Sequence, residues 1–235
     1  LMLSGIKEIL IITTPQDNEK FRELLGNGSH LGIEIEYKIQ AKPEGIAQAL
    51  IISEEFIGDS SVALILGDNL FHGDYLVNRL QKKNLLKKGA SIFAYSVVDP
   101  ERYGVVEFDS EGIAFNIQEK PKKSKSKFAI TGLYFYDNTV IDKAKSIKPS
   151  KRGELEITDI NKMYMKEGEL IVEIMNRGMT WLDTGTIDSL HEASSYIRSL
   201  EKRQGLKIGC PEEVAWRMGF ISNEQLYFLS SKLSK

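Results

Sequence analysis

The feature that most constrains this chain is the alternation, through its first half, of short apolar β-branched runs with stretches of helical period. Glu8 to Thr13, Val62 to Leu66 and Ser91 to Val98 read as buried strands, and Ile33 to Ile39 alternates as a half-exposed one. Between them, Asp17 can cap a short helix with Phe21, Leu24 and Leu25 on one face, closed by Gly26. Glu44 to Ile57 turns Ile46, Ala47, Leu50 and Ile51 inward, and another helix covers Tyr75 to Leu86. Strands separated by helices need crossover connections, so the expected class is α/β: a Rossmann-like mixed, mostly parallel sheet flanked by helices.

The middle third changes character. Gly104 to Phe108 and Gly112 to Ile117 form an expected hairpin, with Asp109 to Glu111 in its turn. The basic stretch Lys120 to Lys127 reads as a loop, Phe128 to Tyr136 as a strand, Glu156 to Lys166 as a helix and Glu169 to Met175 as a strand. Beyond Thr186, which can cap a helix, Leu190, Ala193, Ile197 and Leu200 keep helical spacing, and shorter helices follow Pro211 and Ser222. The expected division is an α/β core over residues 1–185 and a helical region over 186–235, the latter a candidate oligomer interface.

Composition removes several function classes. A net charge of −2 lacks the cationic surplus of a nucleic-acid binder. No apolar run is long enough to span a bilayer, so no membrane partner is expected. The single cysteine, Cys210, cannot form an internal disulfide, which suits a reduced, cytoplasmic compartment. His30, His72 and His191 lack metal-ligand spacing, and neither a GxGxxG nor a Walker-type loop is present.

Five places carry chemistry-bearing residues, each with a bland reading beside the functional one. Asp68 stands just past the carboxyl end of an apolar strand, where open α/β sheets place ligands; it suits Mg²⁺, or is a turn residue bonding its own backbone. Asp183 matters if it converges on Asp68, and is otherwise a turn or cap residue. In Glu119-Lys120-Pro121, Lys120 can counter a phosphate and Glu119 can accept from sugar hydroxyls, although charges beside a Lys-rich loop are commonly just solvated. Arg152 offers a fork for phosphate and Glu154 an acceptor, or the segment is an acidic first helical turn. Gln40 matches the donor and acceptor edge of a pyrimidine, with Gly45 permitting close approach, or is an ordinary surface Gln.

In combination these segments carry a resemblance. Gln40-Ala41-Lys42-Pro43-Glu44-Gly45, Leu66-Gly67-Asp68-Asn69, Arg102-Tyr103-Gly104-Val105-Val106-Glu107-Phe108, Glu119-Lys120-Pro121, Thr131-Gly132-Leu133-Tyr134-Phe135-Tyr136-Asp137, Arg152-Gly153-Glu154-Leu155-Glu156-Ile157-Thr158-Asp159 and Trp181-Leu182-Asp183-Thr184-Gly185 follow one another in order. Over essentially all its length the chain resembles the short glucose-1-phosphate thymidylyltransferases. The resemblance implies the nucleotide-diphospho-sugar transferase fold. It implies the reaction of dTTP with glucose 1-phosphate to dTDP-glucose and pyrophosphate, as an entry to deoxysugars such as rhamnose. It also implies a homotetramer and Mg²⁺ as cofactor; UTP is an expected second nucleotide because the thymine methyl is a small apolar handle worth only modest discrimination.

By the same resemblance Gln40 and Gly45 read the thymine, and Asp68 and Asp183 hold Mg²⁺. Gly104, Glu119, Ile130 and Tyr134 line the glucosyl site, with Glu154 on the sugar. Tyr103, Gly132 and Trp181 are substrate-binding positions of the same motifs, and Lys120 and Arg152 grip the sugar phosphate. Ile130, Gly132 and Tyr134 share one face of their strand, because side chains alternate with a period of two. The family's Gly-Gly-x-Gly-Thr-Arg loop and Lys-Gln-Leu-Leu-Pro segment have no counterpart here, and the chain opens Leu1-Met2-Leu3-Ser4-Gly5, like the end of a helix. The expectation is therefore an incomplete N-terminus, a sheet lacking one strand and impaired turnover. The alternative is a noncatalytic nucleotide-sugar-binding homologue.

Overall fold

The computed structural model describes residues 1–83 and 86–233. The chain forms two compact units, Leu1–Ile39 with Val77–Asn84 and Leu182–Lys235, and Gln40–Leu76 with Leu85–Trp181.

The second unit is built on a six-stranded sheet with β8 (Phe128–Tyr136) at its centre. β3 (Val62–Ile65) lies antiparallel to β8, pairing Val62 with Tyr136 and Ile65 with Leu133. β6 (Gly104–Phe108) is also antiparallel to β8, at Val105 to Ala129 and Val106 to Phe128. β5 (Ala90–Ser96) runs antiparallel to β8, with a register shift between Ile92 and Ala94, and parallel to β9 (Leu170–Ile174). β7 (Ala114–Glu119) closes a hairpin with β6, setting Gly104 opposite Glu119.

The expected sheet is present as a mixed one, with a different balance of pairings. β3, β5, β6 and β9 share one direction, but the reversed β8 sits among them and makes most neighbouring pairs antiparallel. Alternation of strand and helix reports the direction of each strand and cannot report which strand is inserted between two others.

α2 (Ile46–Ile52), α3 (Glu54–Ile57), α5 (Val140–Ser146) and α6 (Ile157–Lys166) supply apolar residues to the core of this sheet. Ala47 and Leu50, Val140 and Ala144, and Ile160 and Tyr164 pack with Ile92, Val106, Ile130, Tyr134 and Tyr136. The single helix expected over Glu44 to Ile57 is two, because Ser53 leaves helical geometry and donates its hydroxyl to the Leu50 carbonyl at 3.0 Å. β4 (Asn69–Gly73) was not expected from the pattern; it pairs with β10 (Met179–Asp183), another short strand the pattern did not give.

In the first unit, β1 (Glu8–Thr13) and β2 (Glu34–Ile39) form a parallel pair. Leu31, Ile33 and Ile35 pack with Ala215 of α8 (Pro211–Arg217) and with Phe220 and Ile221, which lie between α8 and α9 (Asn223–Leu233). Gly32 is required there: its φ is +66°, and a Cβ would stand 2.2 Å from the Phe220 carbonyl oxygen. α1 (Asn18–Leu25) begins after Asp17, which makes no cap bond; its carboxylate accepts from Thr14 at 2.8 Å and from Lys20 at 3.0 Å instead. α4 (Leu76–Lys83) occupies part of the helix expected from Tyr75 to Leu86, whose positions 84 and 85 lie outside the described residues. α7 (Ile187–Gln204) starts at the expected Thr186, in a reciprocal cap with Ser189, and ends at the left-handed Gly205.

Candidate active site

Hairpin register and strand alternation bring the first group together. Gly104 opens β6 opposite Glu119 at the end of β7. A Cβ on Gly104 would lie 2.7 Å from the Thr158 methyl carbon, 3.3 Å from Glu119 Oε2 and 3.7 Å from Ile130 Cδ1. Gly104, Glu119 and Ile130 thus meet at one spot, closed by Thr158 from the first turn of α6. Only a residue without a side chain fits at 104. Thr158 is a contributor that sequence reasoning did not single out, although it stands within the Arg152 to Asp159 segment.

Electrostatics ties Glu119 to its neighbours. Burial raises its carboxyl pKa above the ordinary range and the Glu156 charge adds to this, while Lys120 and Arg152 offset it only in part. Arg152 faces three carboxylates: Glu154 at 2.8 Å, Glu119 at 3.3 Å and Glu156 at 3.6 Å. Glu156 is buried and receives the Ser150 hydroxyl at 2.7 Å; that hydroxyl also accepts the Arg152 backbone N–H. The loop carrying Arg152 and Glu154 is thereby pinned at its root. The Arg152 guanidinium stays partly exposed, a cation held in place by its carboxylate partners.

Lys120 is exposed and held by its backbone: its N–H donates to the Tyr103 carbonyl at 3.0 Å, with φ at +38°. Tyr103 lies edge-on to Trp181, ring centroids 5.1 Å apart. Tyr134 is buried on β8 and stacks on Tyr136 at 6.0 Å. Burial, then the charges of Glu119 and Asp68, push its phenol well above the ordinary value, so it stays a neutral hydrogen-bond donor. Behind it, Tyr136 donates to Asn161 at 2.7 Å and stacks on Tyr164, which donates to Asp137 at 2.7 Å.

Gln40 and Gly45 form a second group. The Gln40 amide donates to the Gly45 carbonyl at 3.2 Å and to Gln48 at 2.6 Å. Gly45 has φ +107° and presses on the chain at Leu155, whose carbonyl oxygen would lie 2.4 Å from a Cβ. Leu155 N–H donates to the Glu44 carbonyl, so this strand of loop joins the segment that bears Arg152 and Glu154.

Asp68 is exposed at the turn after β3, where Oδ1 accepts from the Asn69 amide at 2.8 Å. Asp183 ends β10 in the first unit, and its Oδ1 accepts the Gly185 N–H at 3.1 Å. Among the described residues no cluster of three His, Cys, Asp or Glu side chains could cage a metal by itself.

Comparison with known proteins shows the family of the chain. Residues 1–199 match the family described as nucleotidyl transferase. The chain is 52% identical over 235 residues, all of its length and 82% of the other's, to glucose-1-phosphate thymidylyltransferase of Neisseria meningitidis. The chain belongs to the glucose-1-phosphate thymidylyltransferase family. Its Mycolicibacterium smegmatis relative of the same name is 53% identical over 235 residues, covering 100% of this chain and 81% of that protein. A solved structure of a candidate glucose-1-phosphate thymidylyltransferase from Bacillus anthracis, in complex with sucrose, superposes with a TM-score of 0.77 at 39% identity. That match covers 88% of this chain and 80% of the other. UDP-glucose pyrophosphorylase with UDP-glucose, at TM-score 0.70 and 23% identity over 84% of this chain and 83% of that one, shares the fold. As a member of this family the chain is a nucleotidyltransferase, an enzyme with the α/β nucleotide-sugar transferase fold.

Proposed function

We propose that this chain transfers a thymidylyl group from dTTP to glucose 1-phosphate, releasing pyrophosphate and dTDP-glucose. The observation that carries the reading is the meeting of Gly104, Glu119 and Ile130 beside an Arg152 held by three carboxylates. A hydroxyl-rich ring needs acceptors and a bare backbone to sit against, and its phosphate needs a fixed fork; both are supported there. Gln40 and Gly45 are the proposed thymine readers, and UTP is a second nucleotide because a lone methyl discriminates weakly.

In this reading a phosphate oxygen of the sugar attacks the α-phosphorus of dTTP in line as pyrophosphate departs. No protein nucleophile is needed. Arg152 and Lys120 hold the attacking anion, Glu119 and Glu154 orient the sugar hydroxyls, and Tyr134, Tyr103 and Trp181 wall the ring. Mg²⁺ is the proposed cofactor. Asp68 and Asp183 are each proposed as ligands: a carboxylate oxygen suits a hard cation that takes one or two protein carboxylates plus substrate phosphates rather than a full protein cage. When bound, the ion would supply charge neutralisation for the phosphates. No helix among the described residues is long and apolar enough to cross a membrane. A cytoplasmic enzyme assembled as a homotetramer completes the proposal.

The test is pyrophosphate release from dTTP, glucose 1-phosphate and Mg²⁺. It is run on this chain and on one extended upstream with a Gly-Gly-x-Gly-Thr-Arg segment. Turnover dependent on both substrates supports the reading. Tight dTDP-glucose binding with no turnover in either form would favour a noncatalytic binding homologue.

A further inference from the structure

Asn69 was legible in the sequence only as the residue after Asp68, yet its amide joins three segments of the second unit. Its Oδ1 accepts the Gly132 backbone N–H at 2.9 Å and the Trp181 indole N–H at 2.6 Å, and its Nδ2 donates to Asp68 Oδ1 at 2.8 Å. Backbone and indole N–H groups only donate and an ionised carboxylate only accepts, so the three partners fix the orientation of the amide. Space is equally committed: a Cβ on Gly132 would stand 2.6 Å from Asn69 Oδ1. Trp181 in turn lies edge-on to Tyr103 at 5.1 Å and to Tyr95 at 6.0 Å. The Tyr103 carbonyl holds the Lys120 N–H.

We propose that Asn69 is a positioning residue for the transfer reaction, coupling the aim of the Asp68 carboxylate to the placement of the Trp181–Tyr103 aromatic wall. The inference rests on the function proposed above. No other side chain of this size does the same work: aspartate keeps the acceptor for Trp181 and Gly132 but loses the donor to Asp68, and leucine loses both.

The experiment compares Asn69→Asp and Asn69→Leu in a Trp216→Phe background, where Trp181 is the sole tryptophan. Emission of Trp181 is read without substrate, alongside the thermal midpoint, kcat and KM. Asn69→Leu is expected to shift the emission maximum, raise KM for glucose 1-phosphate about fivefold or more and lower kcat about 10- to 100-fold. Asn69→Asp is expected to keep emission and that KM within about twofold while lowering kcat about tenfold or more. The same kcat and KM split in both variants would overturn the proposal, because a merely structural residue does not distinguish its donor from its acceptor. Wild-type emission in a folded Asn69→Leu would also overturn it. Failure of the wild type to turn over would count against the proposed function, while the emission comparison still decides on the clamp.

Discussion

β8 and β1 are both apolar strands, yet β8 carries eight consecutive buried residues, Ala129 to Tyr136, while no residue of β1 is fully buried. β8 has β3 and β6 along one edge, β5 along the other and helices α2, α5 and α6 contributing to its core. Among the described residues β1 pairs only with β2, in a two-stranded sheet. The contrast teaches that apolar composition says a strand can be buried, whereas its place in the sheet decides whether it is. The candidate sugar site grows from the strand that is locked on both edges, and this is where a constellation needing sub-ångström placement is best held.

If the second unit carries the chemistry, its largest sensitivity lies at Arg152. Arg152→Ala should lower kcat/KM for glucose 1-phosphate about 100-fold or more, and the thermal midpoint should fall as well, because the buried Glu156 loses this cation. A loss below about tenfold would take Arg152 out of the proposed phosphate grip.

The packing contrast is tested by matched truncations. Ile92→Ala, at a fully buried site of the second unit, should cost about 4 kcal/mol, and Ile35→Ala, at the shallower core of the first, about 2 kcal/mol. Equal costs by urea unfolding would erase the difference between the two cores.

How far this contrast was readable beforehand depends on the kind of signal. Val62 to Leu66, Phe128 to Tyr136 and the hairpin after Gly104 declared themselves because period and β-branching agree there. α5 was missed although Val140, Ile141 and Ala144 had helical spacing, its seven residues being too short a window to stand out. β4 and β10 were missed because five residues containing Asn, His, Gly, Thr or Asp give no clean alternation. The motifs named Gly104, Glu119, Ile130 and Arg152, whose proximity the register supplies. Asn69, Thr158 and Asn161 act through contacts made at long sequence separation, for which a single sequence offers no sign.

A smaller effect sits behind the site. Burial alone would raise the Asp137 carboxyl, but bonds from the Thr139 hydroxyl, the Gly89 N–H, the Tyr164 hydroxyl and the Thr139 N–H outweigh it and hold the pKa below 3.8. A depressed carboxylate stabilises the fold fully above its unfolded pKa and loses that contribution as pH falls through the folded value. The stability gap between wild type and Asp137→Asn should therefore be widest near neutral pH and narrow below about pH 3.8 in acid unfolding curves. A gap that stays constant from pH 7 to pH 3 would detach the network from that charge. The smallest effect belongs to the first unit: Leu24, which its spacing puts on one face with Phe21 and Leu25, is 75% exposed, so Leu24→Ser should move stability by less than about 0.5 kcal/mol.

The left-handed backbone at Lys120 sets a ceiling on what can be improved there. A side chain at φ +38° is disfavoured, so glycine would relax the turn by about 1 kcal/mol. The same exchange deletes the ammonium group. At this one position thermal resistance and positive charge are drawn from a common reserve, and variants selected for heat tolerance should surrender cationic reach first at the turn between the hairpin and the lysine-rich loop.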